Sequence, residues 1–357
     1  MIDFLVIGGG IAGTSAAAMF APLGTTTLLE AENTFAHHAS GRSAAIFVED
    51  YGNDVVCALN TASMAELQDM GALSARGLLM VGPRGHEVEF DGEVRLMQIE
   101  EIPFSQAQTL FPILNPTRCT RTAYTDQAFD LDTDLMMQSY MRAARGDGAD
   151  LCLDQKVEKI TKITQGWMVE TKTDSFSAHI LINAAGPWAD DIAKMAGVVP
   201  LGIQPMRRSM AQLPPPNGQN MSDWPMIISS AGDWYARPSG ASWLVSPSEA
   251  VPCEPHDAWA NDMTIAEGLS RYEGMVTVPV SRVQSSWAGL RSFAPDQSLI
   301  IGPDPISPDF LWFAGQGGYG FQTAPAAATL LALLANGRES DALSPETVAA
   351  LSPARFH

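Results

Sequence analysis

The sequence predicts an α/β protein in which one domain, built on a parallel sheet and assembled from separated pieces of the chain, carries an inserted β-rich domain. Three observations predict it. A strand, a glycine turn, a helix and a second strand open the chain between Asp3 and Glu30. The stretch from Pro200 to Val283 is rich in Pro, Trp and Ser and reads as short strands broken by turns. Near the end, four of the six residues from Gly315 to Gly320 are glycine, and a long apolar helix follows directly. With 357 residues, 46% apolar and 17% charged, the chain is long enough for two such domains and a sizeable core.

The first element, "DFLVI", is a short apolar run of the kind buried in a parallel sheet. Gly8, Gly10 and Gly13 follow at G-x-G-x-x-G spacing, with Ile11 and Ala12 between them, and lead into the small-residue helix "AGTSAAAMFAPLG". The second strand, "TTTLLE", ends in Glu30. Glycines at this spacing allow a tight turn and a close approach of a pyrophosphate to the positive end of the helix dipole. An acid about 20 residues further on is placed to accept hydrogen bonds from a ribose. The complete strand–turn–helix–strand context therefore predicts dinucleotide binding, and leaves open which dinucleotide.

Further along, "FDLDTD" sets Asp130, Asp132 and Asp134 at alternate positions, as a calcium loop would begin. Leu135 follows where that loop needs a glycine, so the reading is a helix start, with Asp132 or Thr133 as cap of "LMMQSYMRAAR". "KVEKITKI", "GWMVETKT" and "HILINAAG" read as a β-meander turned at Gly166, and "ADDIAKMAG" as a short helix closed by Gly197. Segment 80–131 is irregular in the same way as 200–283.

Composition excludes several classes of function. Twenty-one basic against forty acidic residues give a net charge of −19, so nucleic acid and anionic membranes are poor partners. Cys57, Cys119, Cys152 and Cys253 are scattered singly, which suits a reducing compartment and buried packing better than disulfides or metal. The six histidines show no metal-ligand spacing; His37 and His38 are adjacent and stand alone. Met1 runs almost directly into a strand with no secretory pattern, and the apolar run Ala324 to Ala335 is shorter than the ~20 residues of a membrane span. The expected location is the cytoplasm.

"HHASGRSAAIF" at 37–47 narrows the reading. Together with "GGGIAG", "NAAGPWAD", "WAGLRSFAPDQSLIIGPDP" and "GQGGYGFQTAP", it makes the chain resemble the D-amino-acid oxidase superfamily of FAD-dependent amine oxidoreductases along nearly its whole length. The branch it resembles most is that of D-arginine dehydrogenase; glycine oxidase and sarcosine oxidase are more distant. The resemblance implies a noncovalently held FAD in a discontinuous Rossmann-like FAD-binding domain (1–78, 132–200 and 284–357). It also implies an inserted substrate domain on an antiparallel β-sheet (79–131 and 201–283). Cofactor contacts are implied at Glu30, Ala31, Ser40, Gly41, Arg42, Ser43 and Ala44, at Val157 by the adenine, and at Ala185, Gly186 and Trp188 near the phosphates. Ser40 to Ser43 offer N–H groups, hydroxyls and a cation within four residues, which suits a pyrophosphate. Gly317, Gly318, Tyr319, Gly320, Gln322 and Thr323 are expected along the flavin edge, where unpaired N–H groups at a helix start stabilise the charge of a reduced ring.

Two arginines lie in apolar or small-residue surroundings, Arg208 in "QPMRRSM" and Arg291 in "WAGLRSF". A buried guanidinium needs an anionic partner, and a substrate carboxylate held bidentately would supply one. The resemblance makes Arg208 and Arg291 the carboxylate clamp, Tyr51 and Tyr235 the pocket tyrosines, and Gly289 and Gly318 backbone contacts. It also shows two departures. Ile46 stands in place of a histidine, and Leu78 falls near the position of a glutamate that reads a substrate guanidinium. The implied reaction is oxidative deamination of D-amino acids with apolar or uncharged side chains, by hydride transfer from Cα to the flavin. A dehydrogenase is favoured over an oxidase, with oxygen, a quinone or another carrier as acceptor. The same clamp would serve a 2-hydroxy acid or a secondary or cyclic amino acid, and a flavoprotein without turnover is the reading from another class.

Overall fold

The computed structural model describes residues 1–357. An eight-stranded sheet forms around the Ile2–Ile7 strand, which pairs in parallel with Thr26–Leu29 on one side and Ser175–Asn183 on the other. Asp150–Cys152 extends it beyond Thr26–Leu29, and Phe310–Ala314 lies parallel to the end of Ser175–Asn183. Parallel strands buried on both faces need continuous apolar runs, and Leu5, Val6, Leu28, Leu181 and Ile182 are fully buried. The expected meander is present in its first part: Val157–Ile163, Gly166–Thr171 and the start of Ser175–Asn183 are antiparallel. The third strand then continues past its partner and joins the parallel sheet, because "ILIN" is apolar enough to be buried there.

One face of this sheet is covered by the helices Ile11–Phe20, Asp54–Asp69, Thr133–Gly146 and Gly320–Ala335. The first and last bring Ala16 and Ala17 into one core with Ala324, Ala327 and Ala328. Residues this small let helix backbones approach closely. Asp132 caps its helix by accepting from the Leu135 N–H at 2.8 Å. Gly197, left-handed at φ 71°, closes the helix Ala189–Ala196.

The Pro- and Trp-rich middle forms a nine-stranded sheet whose long strand, Gln204–Leu213, pairs antiparallel with Ser242–Ser246 and with Ser285–Phe293. Its tryptophans are core: Trp224, Trp234 and Trp243 pack with Phe111 and Tyr272. The sheet is antiparallel throughout except where Met226–Ser229 runs parallel to Leu78–Pro83. Ser285–Phe293, sequence-assigned to the nucleotide domain, is thus hydrogen-bonded along its whole length in this second sheet. Leu78 likewise starts one of its strands. Segment 80–131 contributes the helices Glu87–Leu96 and Phe104–Leu110. No helix is long and apolar enough to cross a membrane.

Candidate active site

A cavity of about 330 Å³ opens between the two sheets. At one end lies the first glycine turn. The Gly9 N–H donates to Glu30 Oε2 at 2.7 Å, the Glu32 N–H donates to Glu30 Oε1 at 2.9 Å, and the carboxylate is buried. A side chain at Gly13 would place its Cβ 1.7 Å from the Gly8 carbonyl oxygen, so the helix reaches the turn only through glycine. Ser40 Oγ accepts from the Ile11 N–H at 3.0 Å and docks the 39–42 turn over this helix start.

Gly10, Ile11, Ala12, Ser40, Ser43, Ala44 and Gly186 all face the cavity. Gly8, Gly13 and Gly41 shape the turns from behind; Thr323 sits in the last helix, its hydroxyl donating to the Tyr319 carbonyl. Ala31 is exposed, and Val157 starts a strand just past Gln155, whose N–H donates to the Glu30 carbonyl. Ala185 and Trp188 close the opposite turn, with the indole 4.7 Å from the His38 ring. Arg42 lines the cavity, but its guanidinium turns to protein acceptors: the carbonyls of Ala258 and Ala288 and the carboxylate of Asp257. Sequence spacing could not show this, because those acceptors lie more than 200 positions away.

The second glycine turn faces the first. No side chain caps the helix Gly320–Ala335, so its first N–H groups open into the cavity beside Gly317, Gly318 and Gln322. Two helix starts therefore converge on one space, and their dipoles favour negative charge there.

The arginines follow from strand register. Arg208 stands directly opposite Gly289, and Arg291, two residues on, opposite Met206. Both side chains then share one face of the sheet, and Gly289 leaves the space between them clear. A Cβ at Gly318 would sit 3.1 Å from Arg291 Nη1, so glycine lets the turn lie close against the guanidinium. Arg208 donates Nε–H to the Glu249 carbonyl at 2.6 Å and Nη1–H to Ser248 Oγ at 3.2 Å. Neither arginine forms an ion pair with a carboxylate of the chain, while Arg207 faces Glu249.

Burial, reinforced by the Arg291 charge, pulls Arg208 below the usual arginine range. Burial also acts to lower Arg291, but the phenols of Tyr235, Tyr51 and Tyr319 outweigh it and the net shift is upward. Burial and then Tyr51 push the Tyr319 phenol up to about 12. Neither cation is paired with a carboxylate there; Glu249 lends Arg208 only a weak favourable charge and faces Arg207. Tyr51 and Tyr319 meet edge to face at 5.3 Å, and Tyr235 lies 5.9 Å from the Arg208 guanidinium carbon.

Beyond the arginines the wall is apolar: Ile46, Leu78, Met97, Met210, Met226 and Ile228. One carboxyl stands among them, Glu93, which sequence reasoning missed. The signal was there: Phe90, Glu93 and Met97 fall at helical spacing, and Phe90 and Met97 are buried. Burial pushes the Glu93 carboxyl above its ordinary range. Met210, two residues from Arg208 on the same strand face, could also have been read from period two.

Residues 3–334 match the family model described as DAO, FAD dependent oxidoreductase. The chain belongs to that family. Its cofactor is FAD, and the observed site fits it: two glycine turns and two helix starts border one cavity, and the buried Glu30 carboxylate braces the first turn from behind. Among similar proteins is the FAD-dependent oxidoreductase domain-containing protein 1 of Xenopus laevis, 25% identical over 46% of this chain and 36% of that protein. The chain thus spans about a third of that relative's length. Among solved structures are L-proline dehydrogenase from P. horikoshii (TM-score 0.82, 20% identity, 99% of this chain and 97% of that one) and glycine oxidase from Geobacillus kaustophilus (0.84, 18%, 98% and 97%).

Proposed function

We propose that this DAO-family flavoprotein oxidises the Cα–N bond of D-amino acids with apolar or uncharged side chains. The imino acid released would hydrolyse to a 2-oxo acid and ammonia. One observation carries the reading: Arg208 and Arg291 lie on one face of the sheet, facing the cavity without an ion-paired carboxylate of their own. A bidentate carboxylate completes them, and fixing it holds the neighbouring Cα–H bond in one orientation. Bound FAD supplies the two-electron acceptor for that bond.

The phenols of Tyr51, Tyr235 and Tyr319 serve as hydrogen-bond partners, since Tyr319 stays protonated up to about pH 12. Ile46, Met210 and Met226 exclude water from the side-chain end. No histidine lines the cavity, so the amine enters as the neutral fraction supplied by solution. The D configuration and the dehydrogenase reading rest on the sequence likeness at Tyr51, Arg208, Tyr235 and Arg291. The names of the similar glycine oxidase and L-proline dehydrogenase support an amino-acid substrate.

The test is anaerobic titration of the purified protein with D- and L-amino acids, followed by air. D-Leu, D-Met and D-Phe should bleach the flavin, and reoxidation in air should be slow. Faster bleaching by D-Arg and D-Lys, or by the L-enantiomers, overturns the specificity. A second reading, oxidation of a secondary or cyclic amino acid, is favoured by the likeness to L-proline dehydrogenase. Bleaching by proline or sarcosine in preference to any primary amine would establish it.

A further inference from the structure

The turn after Glu30 folds back on itself and brings Glu32 to His37 and His38. Glu32 Oε1 lies 3.0 Å from His38 Nε2, and the two imidazoles meet edge to face with centroids 4.8 Å apart. One donor atom from each of the three residues lies within 4.8 Å of the others. From the other side comes Asp257, 3.7 Å from His38 Nδ1 and 3.9 Å from His37 Nε2, held in place by Arg42. His38 Nδ1 is buried and has no hydrogen-bond partner. We propose that Glu32, His37 and His38 bind a divalent first-row transition ion of the Zn²⁺ type, with Asp257 as the outer carboxylate that orients His38.

The donor set is one such ions take: two imidazoles and a carboxylate, with bonds of about 2.0–2.2 Å. On a tetrahedral ion those bonds put ligand atoms roughly 3.3 Å apart. The Glu32–His38 pair is already near that spacing, and the widest separation closes by about 1.5 Å through rotation of partly exposed side chains. A plain Glu32–His38 hydrogen bond leaves His38 Nδ1 without a partner. With Nε2 on a metal, the ring proton sits on Nδ1 and faces Asp257, which is the carboxylate–histidine–metal relay that fixes ring orientation. The three side chains are partly open to solvent, so an ion can enter and a fourth position remains for water. The net charge of −19 raises the local concentration of cations. The ion would tie the dinucleotide turn to the 253–261 segment through Asp257 and Arg42.

The experiment uses tag-free, FAD-loaded full-length protein stripped with a chelator and titrated calorimetrically with Zn²⁺. One equivalent should bind. Glu32→Gln and His38→Ala should weaken binding at least tenfold, and Asp257→Asn by roughly tenfold, the scale for outer-carboxylate loss. His179→Ala, on a distant strand, should bind as the unaltered protein does. No saturable binding, or affinity unchanged in Glu32→Gln and His38→Ala, overturns the site. A second measurement needs no variant: bound Co²⁺ should give the intense visible bands of a low-coordinate N/O site, and the pale spectrum of the aqua ion overturns the proposal.

Discussion

Two buried arginine centres in this protein look alike in sequence and differ in one respect. In the first, Asp130 gives one oxygen to Arg237 Nη2 at 2.6 Å and the other to Arg76 Nε at 2.7 Å. The remaining donors go to the carbonyls of Ala45, Pro238, Ser222 and Trp224. In the second, Arg208 and Arg291 stand with the phenols of Tyr51, Tyr235 and Tyr319, and no carboxylate of the chain is ion-paired to either. The first centre is closed and holds the wall at Ala45 against the second sheet. The second has no such partner, and in the proposed function an anion from outside completes it. Burial of a guanidinium marks neither role by itself; what separates them is whether the chain supplies its own anion.

The largest effect should come from breaking the closed centre. Arg237→Ala leaves Asp130 with one partner and a buried charge half compensated, at a cost of about 3 kcal/mol. A denaturant midpoint measured at saturating FAD should fall accordingly, while KM per folded molecule barely moves. A wild-type midpoint would mean that Arg76 alone satisfies Asp130. The open centre should respond in the opposite way. Arg291→Ala removes a charge-assisted contact to the substrate worth ~1.5–3 kcal/mol, a fall of roughly 10- to 150-fold in kcat/KM. FAD should stay bound, and stability should change little, because Arg291 has no carboxylate partner that its loss would leave buried and unpaired. Unchanged kinetics would remove Arg291 from the site.

The contrast also shows what sequence could reveal. Both glycine turns were legible because strand, turn and helix are adjacent in the chain, as was the Asp132 cap. Arg208 and Arg291 were legible through their apolar surroundings and the family likeness. Asp130 was read only as part of a helix start, because its partners Arg76 and Arg237 come from strands far away in sequence. The pairing of Ser285–Phe293 with Gln204–Leu213 was hidden for the same reason: period two gives a face but no partner. The direction of Arg42 depended on Asp257, and the reach of Glu93 on the phase of a helix within an irregular segment.

A third outcome sharpens the comparison without catalysis. Small carboxylates such as acetate or a 2-oxo acid should stabilise the protein by filling the open centre, by ~1.4 kcal/mol at tenfold over Kd. The rise in Tm should vanish in Arg208→Ala and Arg291→Ala and persist, from a lower baseline, in Arg237→Ala. A carboxylate effect that survives in the first two variants would place the anion elsewhere.

The smallest effect concerns the one acid facing the open centre. Burial raises the Glu93 carboxyl, so the folded protein keeps a proton that the unfolded chain has released. Stability from this group is therefore full at low pH and declines as pH rises from the ordinary carboxylate range through the raised value. Glu93 is only half-buried, so the change is less than about 1 kcal/mol. Glu93→Gln should flatten that part of the stability profile. The same titration should appear in substrate choice: the ratio of kcat/KM for D-Lys to that for D-Leu should climb as Glu93 ionises and stay flat in Glu93→Gln. A ratio independent of pH in the unaltered protein would mean that the substrate side chain never reaches this carboxyl and ends instead against Met210 and Met226.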